Sequence, residues 1–431
     1  MRIDERKVGS HVRQNVGFAQ RSPRSGERGY VVIENISDKA NPMLTAFGAF
    51  HVPATILIGG GARRELVAQL QRFLIQRVLL VTDTGMMQLG PVREIVAVLD
   101  DAGISATIFD GVQPDPTDRN VADGLARYRS EGCQALVAVG GGSPIDAAKA
   151  INVLTANSPP LSQYAGYHKI PRAGAPLIAI PTTAGTGSEA TKVAVITDTE
   201  RDVKLMILSV HLLPTIALVD YELTLTMPSS LTAAVGVDTL THGIEAFVSR
   251  KANGMTDPLA LSCIELVAKH LRTAYHEPNN HEARAGMMLA ACQGGMAFAN
   301  SSVCLVHGMS RPIGAVFHVP HGLSNAVLLP TVTQFSWRAS VERYAKVARL
   351  LGCCPIQTPD ETAVESLVAG LQQLNADLNV PRLRDCRGVE EARFRTLLSK
   401  MAADALASGS PQNNPRVPTA EEIVTLYEAA W

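Results

Sequence analysis

The chain has 431 residues, a formal net charge of −1, 46% hydrophobic residues and only 5% aromatic residues. This length predicts two domains with cores built mainly from Ala, Val, Leu and Ile. The balanced charge argues against a nucleic-acid partner, and no apolar run is long enough to span a bilayer. The sequence does not begin with a secretory signal, and its seven cysteines, without a Cys-x-x-Cys pair, indicate reduced thiols in a cytoplasmic protein.

Residues 1–42 are polar, rich in Arg, Ser and Gly, and show neither helical nor strand periodicity. This composition predicts a disordered N-terminal extension. The folded pattern begins directly after Met43, which makes Met43 a candidate for the natural first residue.

Residues 43–226 alternate between short apolar strands and helical stretches such as 62–74 and 118–131. The strands are predicted to begin at Thr55, Arg77, Ser105, Ala135, Leu177 and Ile216. Alternation of this kind is typical of a parallel sheet with right-handed crossovers. We therefore predict an α/β domain over these residues.

Residues 227–431 lose the strand signal and become rich in Ala and Leu. Helices are predicted at 230–249, 256–275, 281–299, 338–352 and 360–378, and after Thr419. Thr419 can cap the last of these helices, because a Glu follows three residues later. The second domain is therefore predicted to be all-helical.

A glycine-rich turn, Gly140-Gly141-Gly142-Ser143, follows a predicted strand and opens a helix. Glycines let the backbone approach a ligand closely, and a helix N-terminus favours a phosphate. The turn lacks the Gly-x-Gly-x-x-Gly pattern of ordinary Rossmann domains. A tight strand-to-helix turn without a ligand is therefore an equally good interpretation.

Asp83 lies at the carboxyl end of the second predicted strand. An acidic side chain there can accept hydrogen bonds from a ribose hydroxyl and repel a 2′-phosphate, which favours NAD over NADP. It can equally cap the helix that follows. The same two alternatives, a nucleotide or the backbone of a turn, apply to the hydroxyl side chains after the next-to-last strand, Thr182, Thr183, Thr186 and Ser188.

Four residues have the chemistry of a metal site. Asp238 and His242 are four residues apart in a predicted helix and so share one face. His307 and His321 follow in a second histidine-rich block. One carboxylate and three imidazoles can bind Fe(II) or Zn(II). A single histidine in an apolar helix is more often a core residue, and the block also contains His318, so not every imidazole there is a ligand.

Together these motifs resemble the iron-dependent (group III) alcohol dehydrogenase family, from about residue 46 to Trp431. They are Gly-Gly-Gly-Ser-x-x-Asp-x-x-Lys at 140–149, Pro-Thr-Thr-Ala-Gly-Thr at 181–186, Gly-Val-Asp-x-Leu-Thr-His at 236–242 and His-x13-His at 307–321. The resemblance implies a dehydroquinate synthase-like architecture. A Rossmann-like α/β domain with a parallel sheet would bind NAD(P), an all-α domain would hold the metal, and the active site would lie between them.

The resemblance also assigns roles to residues. The metal ligands would be Asp238, His242, His307 and His321, with Fe(II) preferred and Zn(II) as the alternative. The NAD site would be formed by Asp83, Asp115, Gly140, Gly141, Gly142, Ser143, Asp146, Lys149, Thr182, Thr183, Thr186 and Ser188. Phe298 aligns with an aromatic residue near the nicotinamide.

The chain departs from the family pattern at Arg311, where many members have a histidine beside the nicotinamide. Arginine cannot relay a proton near neutral pH. We expect Arg311 either to pair with a protein carboxylate or to bind an anionic group of the substrate. His318, three residues before a candidate ligand, would assist proton transfer or orient its loop.

The implied activity is reversible hydride transfer between an alcohol and NAD⁺, giving an aldehyde or a ketone. Three alternatives remain open: a metal-free reductase similar to maleylacetate reductases, an NAD-using lyase similar to 3-dehydroquinate synthase, and an NAD-binding redox sensor with a structural metal. The expected partners are a small alcohol or aldehyde and further copies of the chain in a homo-oligomer, with neither nucleic acid nor membrane.

Overall fold

The computed structural model describes residues 48–431 except Asp202. The predicted extension over residues 1–42 and the candidate start Met43 lie outside the described residues. The described residues form one compact unit. In this unit, an α/β half is followed by a helical half, as the sequence predicts.

A six-stranded parallel sheet forms the centre of the first half. Its strands, in chain order, are β1 (Thr55–Ile58), β2 (Arg77–Asp83), β3 (Ser105–Val112), β4 (Ala135–Gly140), β6 (Leu177–Pro181) and β9 (Ile216–Val219). Their order across the sheet is β1-β9-β6-β4-β2-β3. The chain moves outward from β2 to β3 and then returns to the other side of β2. The carboxyl ends of β2 and β4 therefore border the switch point at which open α/β sheets bind ligands.

Helices connect these strands and pack against the sheet. They are α1 (Leu66–Arg72), α2 (Thr84–Gln88), α3 (Gly90–Asp101), α4 (Asp118–Ser130) and α5 (Gly142–Ala156). Helix α1 is shorter than the helix predicted at 62–74, because a 3-10 turn occupies Ala62–Glu65 before α1 begins. Helix α5 is buried over most of its length.

A second, three-stranded sheet explains the burial of α5. It consists of β5 (Gly166–Tyr167), β7 (Val193–Asp198) and β8 (Val203–Leu208), and β7 and β8 pair antiparallel. Apolar side chains of α5 pack between the two sheets, in a cluster with residues of β2, β4, β7 and β8. The sequence analysis missed this sheet, although β7 shows the alternating burial of a strand with one face covered.

The second half of the described chain contains helices and no strand. The helices are α6 (Ser229–Val248), α7 (Thr256–His276), α8 (His281–Asn300), α9 (Leu305–Phe317), α10 (His321–Ser336), α11 (Val341–Leu350), α12 (Asp360–Asp377), α13 (Glu391–Ala407) and α14 (Ala420–Ala429). Short 3-10 turns occur in both halves: Leu161–Tyr164, Ser188–Ala190, Val210–Leu212 and Tyr221–Thr224 in the first, and Trp337–Ala339, Leu383–Asp385 and Pro411–Asn413 in the second. Helix α6 packs against α7, α8 and α10 and is buried almost throughout.

The two halves pack against each other through one hydrophobic cluster. Ala184, Ala190, Ala217 and Val219 of the α/β half belong to the same hydrophobic cluster as the helices. None of the seven cysteines is in a disulfide. Within the described residues no single helix is long and apolar enough to cross a membrane, while α8 and α9 together meet the length and composition criteria but are bent by 103°.

Candidate active site

Helix α6 places Asp238 and His242 one turn apart on the same face, as their spacing predicts. Both side chains are almost completely buried, with 2% and 4% of their surface exposed. Buried polar groups require partners. Those partners come from α9 and α10, which pack against each other beside α6.

The other two candidate ligands, His307 and His321, lie at the starts of two helices. His307 lies in the first turn of α9, and His321 is the first residue of α10. Between them, His318 ends α9 in a left-handed conformation, with φ at 56°. This sharp reversal returns the chain within three residues, so that His321 lies close to His307 although they are fourteen positions apart in sequence.

The candidate ligand atoms converge on the carboxylate of Asp238. Its Oδ1 lies 3.6 Å from Nε2 of His307 and 3.9 Å from Nε2 of His321. One ligand atom from each of these three residues lies within 4.8 Å of the others. His242 does not belong to this group of three, but its Nε2 is 3.9 Å from the same Oδ1, and its ring stacks on His307 at 4.6 Å.

Burial and mutual attraction set the charge of the cluster. Burial disfavours an ionised Asp238, but the imidazoles of His242 and His307 outweigh it and hold the pKa of the carboxyl well below its usual range. Burial lowers the pKa of His242 to about 3, so this ring is neutral at pH 7. His307 is also buried, yet Glu245 and Asp238 raise its pKa to about 9. A divalent cation requires an ionised carboxylate and neutral imidazoles, so a cation that binds at His307 at pH 7 displaces a proton from its ring.

Glu245 is a member of this site that the sequence analysis missed. Its Oε2 lies 2.6 Å from Nδ1 of His307 and accepts a hydrogen bond from the backbone N–H of Cys304, while Oε1 accepts one from Val306. A carboxylate on Nδ1 fixes the ring and leaves Nε2 for a cation. Glu245 follows His242 by three positions, so helical spacing could have placed it on the same face.

Asn325 was missed in the same way. It is fully buried on α10, four residues after His321, and its Nδ2 contacts Asp238 Oδ1 at 2.6 Å. Both newly found residues therefore lie one helical turn from a candidate ligand. The donor set and its surroundings fit a divalent cation.

The glycine-rich turn and Asp83 border the switch point of the sheet. Gly140 ends β4 with a φ of 153°, and an added Cβ there would lie 2.5 Å from Pro144, so the tight turn depends on glycine. Helix α5 begins at Gly142, followed by Ser143. Asp83 Oδ1 accepts a hydrogen bond from the N–H of Met86, so the capping interpretation of Asp83 is confirmed. The second carboxylate oxygen of Asp83, Oδ2, takes no part in this cap.

Several other residues assigned to the nucleotide have protein partners. Lys149 is fully buried, and its Nζ donates to Ser188 Oγ, to Thr191 Oγ1 and to the carbonyl of Val193. Asp146 accepts from Ser188 Oγ at 2.6 Å and from the N–H of Val195. These contacts tie α5 to β7 and to the loop after β6, and the nucleotide role assigned to these residues stays a prediction.

The remaining nucleotide candidates lie in different surroundings. Thr186 accepts from the N–H of Ser188, which is the turn-stabilising alternative, and Thr182 is buried with its Oγ1 3.6 Å from Met86 Sδ. Thr183 lies against the glycine-rich turn, since a Cβ added at Gly141 would be 3.3 Å from its Oγ1. Asp115 is exposed, has a φ of 60° and pairs with Lys204 at 2.8 Å.

Phe298 lies at the cluster, because its ring stacks on His242 with the ring centres 4.4 Å apart. His318 is exposed at the end of α9.

The structure corrects one hypothesis about Arg311. Its Nη1 donates to Ser410 Oγ at 2.9 Å, and none of the described Asp or Glu residues forms a salt bridge with it. The expected pairing with a protein carboxylate is therefore wrong for the described part of the chain. Arg311 follows His307 by one helical turn, so it lies on the same side of α9 as the cluster.

An open parallel sheet with a switch point, joined to helices that bring a carboxylate and imidazoles together, provides the parts that a metal-dependent oxidoreductase using a dinucleotide requires. Comparison with known proteins agrees. A family model described as iron-containing alcohol dehydrogenase matches residues 53–221, and one described as the C-terminal part of the Fe-containing alcohol dehydrogenase family matches residues 232–431. The chain belongs to the iron-containing alcohol dehydrogenase family and is an NAD(P)-linked alcohol oxidoreductase.

Individual relatives cover most of the chain. A 1,3-propanediol dehydrogenase of Klebsiella pneumoniae is 41% identical over 83% of this chain and 92% of its own length. An NAD-dependent methanol dehydrogenase of Bacillus methanolicus is 36% identical over 88% of this chain and 99% of its own length. A crystal structure of 1,3-propanediol oxidoreductase, 38% identical, has a TM-score of 0.87 over 90% of this chain and 100% of that one. The predicted family and fold are confirmed.

Proposed function

We propose that this chain catalyses reversible hydride transfer between a small alcohol and NAD⁺ at a divalent cation held by Asp238, His242, His307 and His321. The observation that carries the proposal is the convergence of one ligand atom each from Asp238, His307 and His321 within 4.8 Å. When bound there, the cation supplies Lewis-acid polarisation of the substrate oxygen, and NAD⁺ accepts the hydride.

The chain's own residues prepare this site. Glu245 fixes the ring of His307, so that Nε2 faces Asp238. Phe298 covers one face of the His242 ring and excludes water from it. His318 ends α9 and sets the reversal that delivers His321, which favours an orienting role over proton transfer. We favour Fe(II) over Zn(II), because the matched family model is described as iron-containing and the donors suit either ion.

The nucleotide would bind at the switch point between β2 and β4. Gly140, Gly141, Gly142 and Ser143 offer backbone N–H groups at the start of α5 for the pyrophosphate. Asp83 favours NAD, since its carboxylate would repel a 2′-phosphate. Relatives differ in this respect: the Bacillus methanolicus protein is named as NAD-dependent, whereas a butanol dehydrogenase of Clostridium saccharobutylicum, 35% identical, is named as NADPH-dependent.

We favour an anionic group of the substrate as the partner of the Arg311 guanidinium. Glu245 attracts the Arg311 guanidinium from beyond salt-bridge distance, and no described carboxylate forms a salt bridge with it, which supports a carboxylate or similar group of the substrate as its direct partner.

We expect Arg311→His to lower kcat/KM for hydroxy acids about tenfold or more while changing kcat/KM for short neutral alcohols much less, since charge-assisted hydrogen bonds contribute roughly 1.5–3 kcal/mol. Steady-state kinetics with matched pairs, such as a hydroxy acid and the diol of equal length, measure this. Arg311→Lys is the control that keeps the charge. Equal loss on both substrate types would contradict the anion hypothesis.

The lyase alternative differs from the dehydrogenase in its use of NAD. A dehydrogenase forms one NADH for each alcohol oxidised, whereas a lyase of this fold needs only catalytic NAD. We expect NADH and carbonyl product to accumulate in a one-to-one ratio with a reacting alcohol, measured by absorbance at 340 nm and by carbonyl derivatisation. Product formation far beyond the NADH formed would favour the lyase.

We further propose a homo-oligomer in the cytoplasm that binds neither nucleic acid nor membrane. The seven unpaired cysteines support the cytoplasm as location, and the net charge of −1 supports the absence of a nucleic-acid partner. The division into domains at residues 226 and 227 also remains a prediction; it falls between the end of β9 and the start of α6.

A further inference from the structure

A loop near the end of the chain, residues 408–414, provides the hydrogen-bond partner of Arg311. Nη1 of Arg311 donates to Oγ of Ser410 at 2.9 Å, although the two residues are 99 positions apart in sequence. Ser410 is almost completely buried, with 4% of its surface exposed. Among the described residues, this guanidinium is the only hydrogen-bond partner of Ser410 Oγ. The loop therefore holds one end of the guanidinium.

The loop itself is fixed to the start of α9, the helix that carries the guanidinium. Nδ2 of Asn413 donates to Oγ of Ser302, three residues before α9 begins, at 2.8 Å. A Cβ added at Gly308 would lie 2.8 Å from Pro411, so the loop also packs directly on the first turn of α9. Ser410 is therefore a fixed acceptor, and its hydrogen bond restricts a long side chain that otherwise has many rotamers.

The other donors of the Arg311 guanidinium remain available. Nε and Nη2 have no hydrogen-bond partner among the described residues, yet neither atom is sealed from solvent. Burial lowers the pKa of Arg311, and Glu245 and Tyr167 oppose this from a distance. Because Arg311 follows His307 by one helical turn and Tyr167 belongs to β5, the guanidinium lies between the ligand cluster and the α/β half. Nε and Nη2 form one edge of a planar fork, which matches the two oxygens of a carboxylate.

We propose that Ser410 is a specificity-determining residue, which positions the Arg311 guanidinium for an anionic group of the substrate. The inference rests on the proposed function, because it requires Arg311 to bind such a group. A hydroxyl suits this role, since it fixes the direction of the guanidinium without neutralising the charge that the anion needs, as a carboxylate at this position would. Ser410 is a positioning residue and acts only through Arg311.

The test compares kcat/KM for a hydroxy acid with kcat/KM for the diol of equal length, in the Fe(II)-loaded full-length enzyme with saturating NAD⁺. We expect Ser410→Ala to lower the ratio of acid to diol about fivefold, because the guanidinium loses a hydrogen bond that orients it. The loss should lie mainly in KM for the acid, since the anion binds away from the reacting carbon. Ser410→Thr keeps the oxygen and should keep the ratio within about twofold.

Ser336→Ala is the matched control, because Ser336 is another buried serine whose hydroxyl accepts a hydrogen bond from this loop, at Asn414 Nδ2. We expect Ser336→Ala to leave the ratio unchanged. A purely structural role for Ser410 would lower kcat/KM for the acid and the diol alike, so an unchanged ratio in Ser410→Ala would overturn the inference. Ser410→Cys, whose sulfur accepts only weakly, replaces the Ala variant if circular dichroism shows that the latter does not fold, with the same expectation.

Arg311→His distinguishes failure of the inference from failure of the proposed function. A lower ratio in Arg311→His with an unchanged ratio in Ser410→Ala would show that Arg311 binds the anion without help from Ser410. An unchanged ratio in both variants would show that Arg311 does not bind an anionic group of the substrate, and the role of Ser410 would be refuted with it.

Discussion

His307→Ala is expected to lose the bound divalent metal and to reduce kcat about a thousandfold, while NAD still binds. His307 lies between two carboxylates, with its Nδ1 2.6 Å from Glu245 and its Nε2 3.6 Å from Asp238. Removing the ring deletes one ligand and leaves both buried acids without their shared partner. The Lewis-acid contribution of a metal is several kcal/mol, and each 1.36 kcal/mol is about tenfold in rate.

Metal content by mass spectrometry, kcat, and the dissociation constant of NADH from fluorescence titration separate the effects. The nucleotide residues lie at the sheet's switch point and not in this cluster, so NADH affinity should change less than about threefold. His281→Ala is the control, since His281 is exposed and contacts only Tyr221 among the described side chains. Retained metal and normal turnover in His307→Ala would refute the ligand assignment.

Glu245→Ala is expected to have the largest effect on stability. Glu245 accepts hydrogen bonds from the backbone N–H groups of Cys304 and Val306 at the start of α9, and contacts His307 as well. Truncating a buried charged partner leaves all three groups unsatisfied, which costs roughly 3–5 kcal/mol. Because the start of α9 carries His307, affinity for the metal should fall about 10- to 100-fold.

Urea unfolding of the metal-free protein gives the change in unfolding free energy, and Zn(II) competition gives the change in affinity. Glu94→Ala is the control: Glu94 forms only an exposed ion pair with Arg63, and its removal should cost less than about 0.5 kcal/mol. A Glu245→Ala protein as stable as this control, with unchanged Zn(II) affinity, would show that Glu245 does not support the site.

The hydrophobic pattern of the sequence was sufficient to predict most central strands and several of the helices. Strands such as Arg77–Asp83 are short apolar runs, and Asp238 and His242 are four residues apart in one uninterrupted helix, so they were placed on one face correctly. The strands Val193–Asp198 and Val203–Leu208 were missed although both are mostly apolar runs, and the alternation that marks them lies in their burial and not in their sequence. Helices α9, α10 and α13 were also missed; for α9 and α10, the histidine-rich block was interpreted as a loop.

The site depends on contacts that sequence spacing does not determine. The approach of His307 and His321 requires the reversal at His318 and the packing of α9 on α10, both of which are tertiary features. For Lys149, the structure shows three protein acceptors in a buried position, which the motif does not indicate, while the predicted nucleotide contact stays a prediction. Glu245 and Asn325 were within reach of helical spacing, but neither residue type alone distinguishes a ligand's partner from a core polar group.

The central claim is that a cation at the Asp238 cluster is required for hydride transfer. The most direct measurement is the rate of NADH formation by metal-stripped protein as Fe(II) is added under anaerobic conditions, with a panel of short alcohols, diols and hydroxy acids. We expect no NADH without metal, and a rate that rises and saturates near one Fe(II) per chain with at least one substrate. NADH formation that is equally fast in metal-stripped protein would contradict the claim and favour a metal-free reductase.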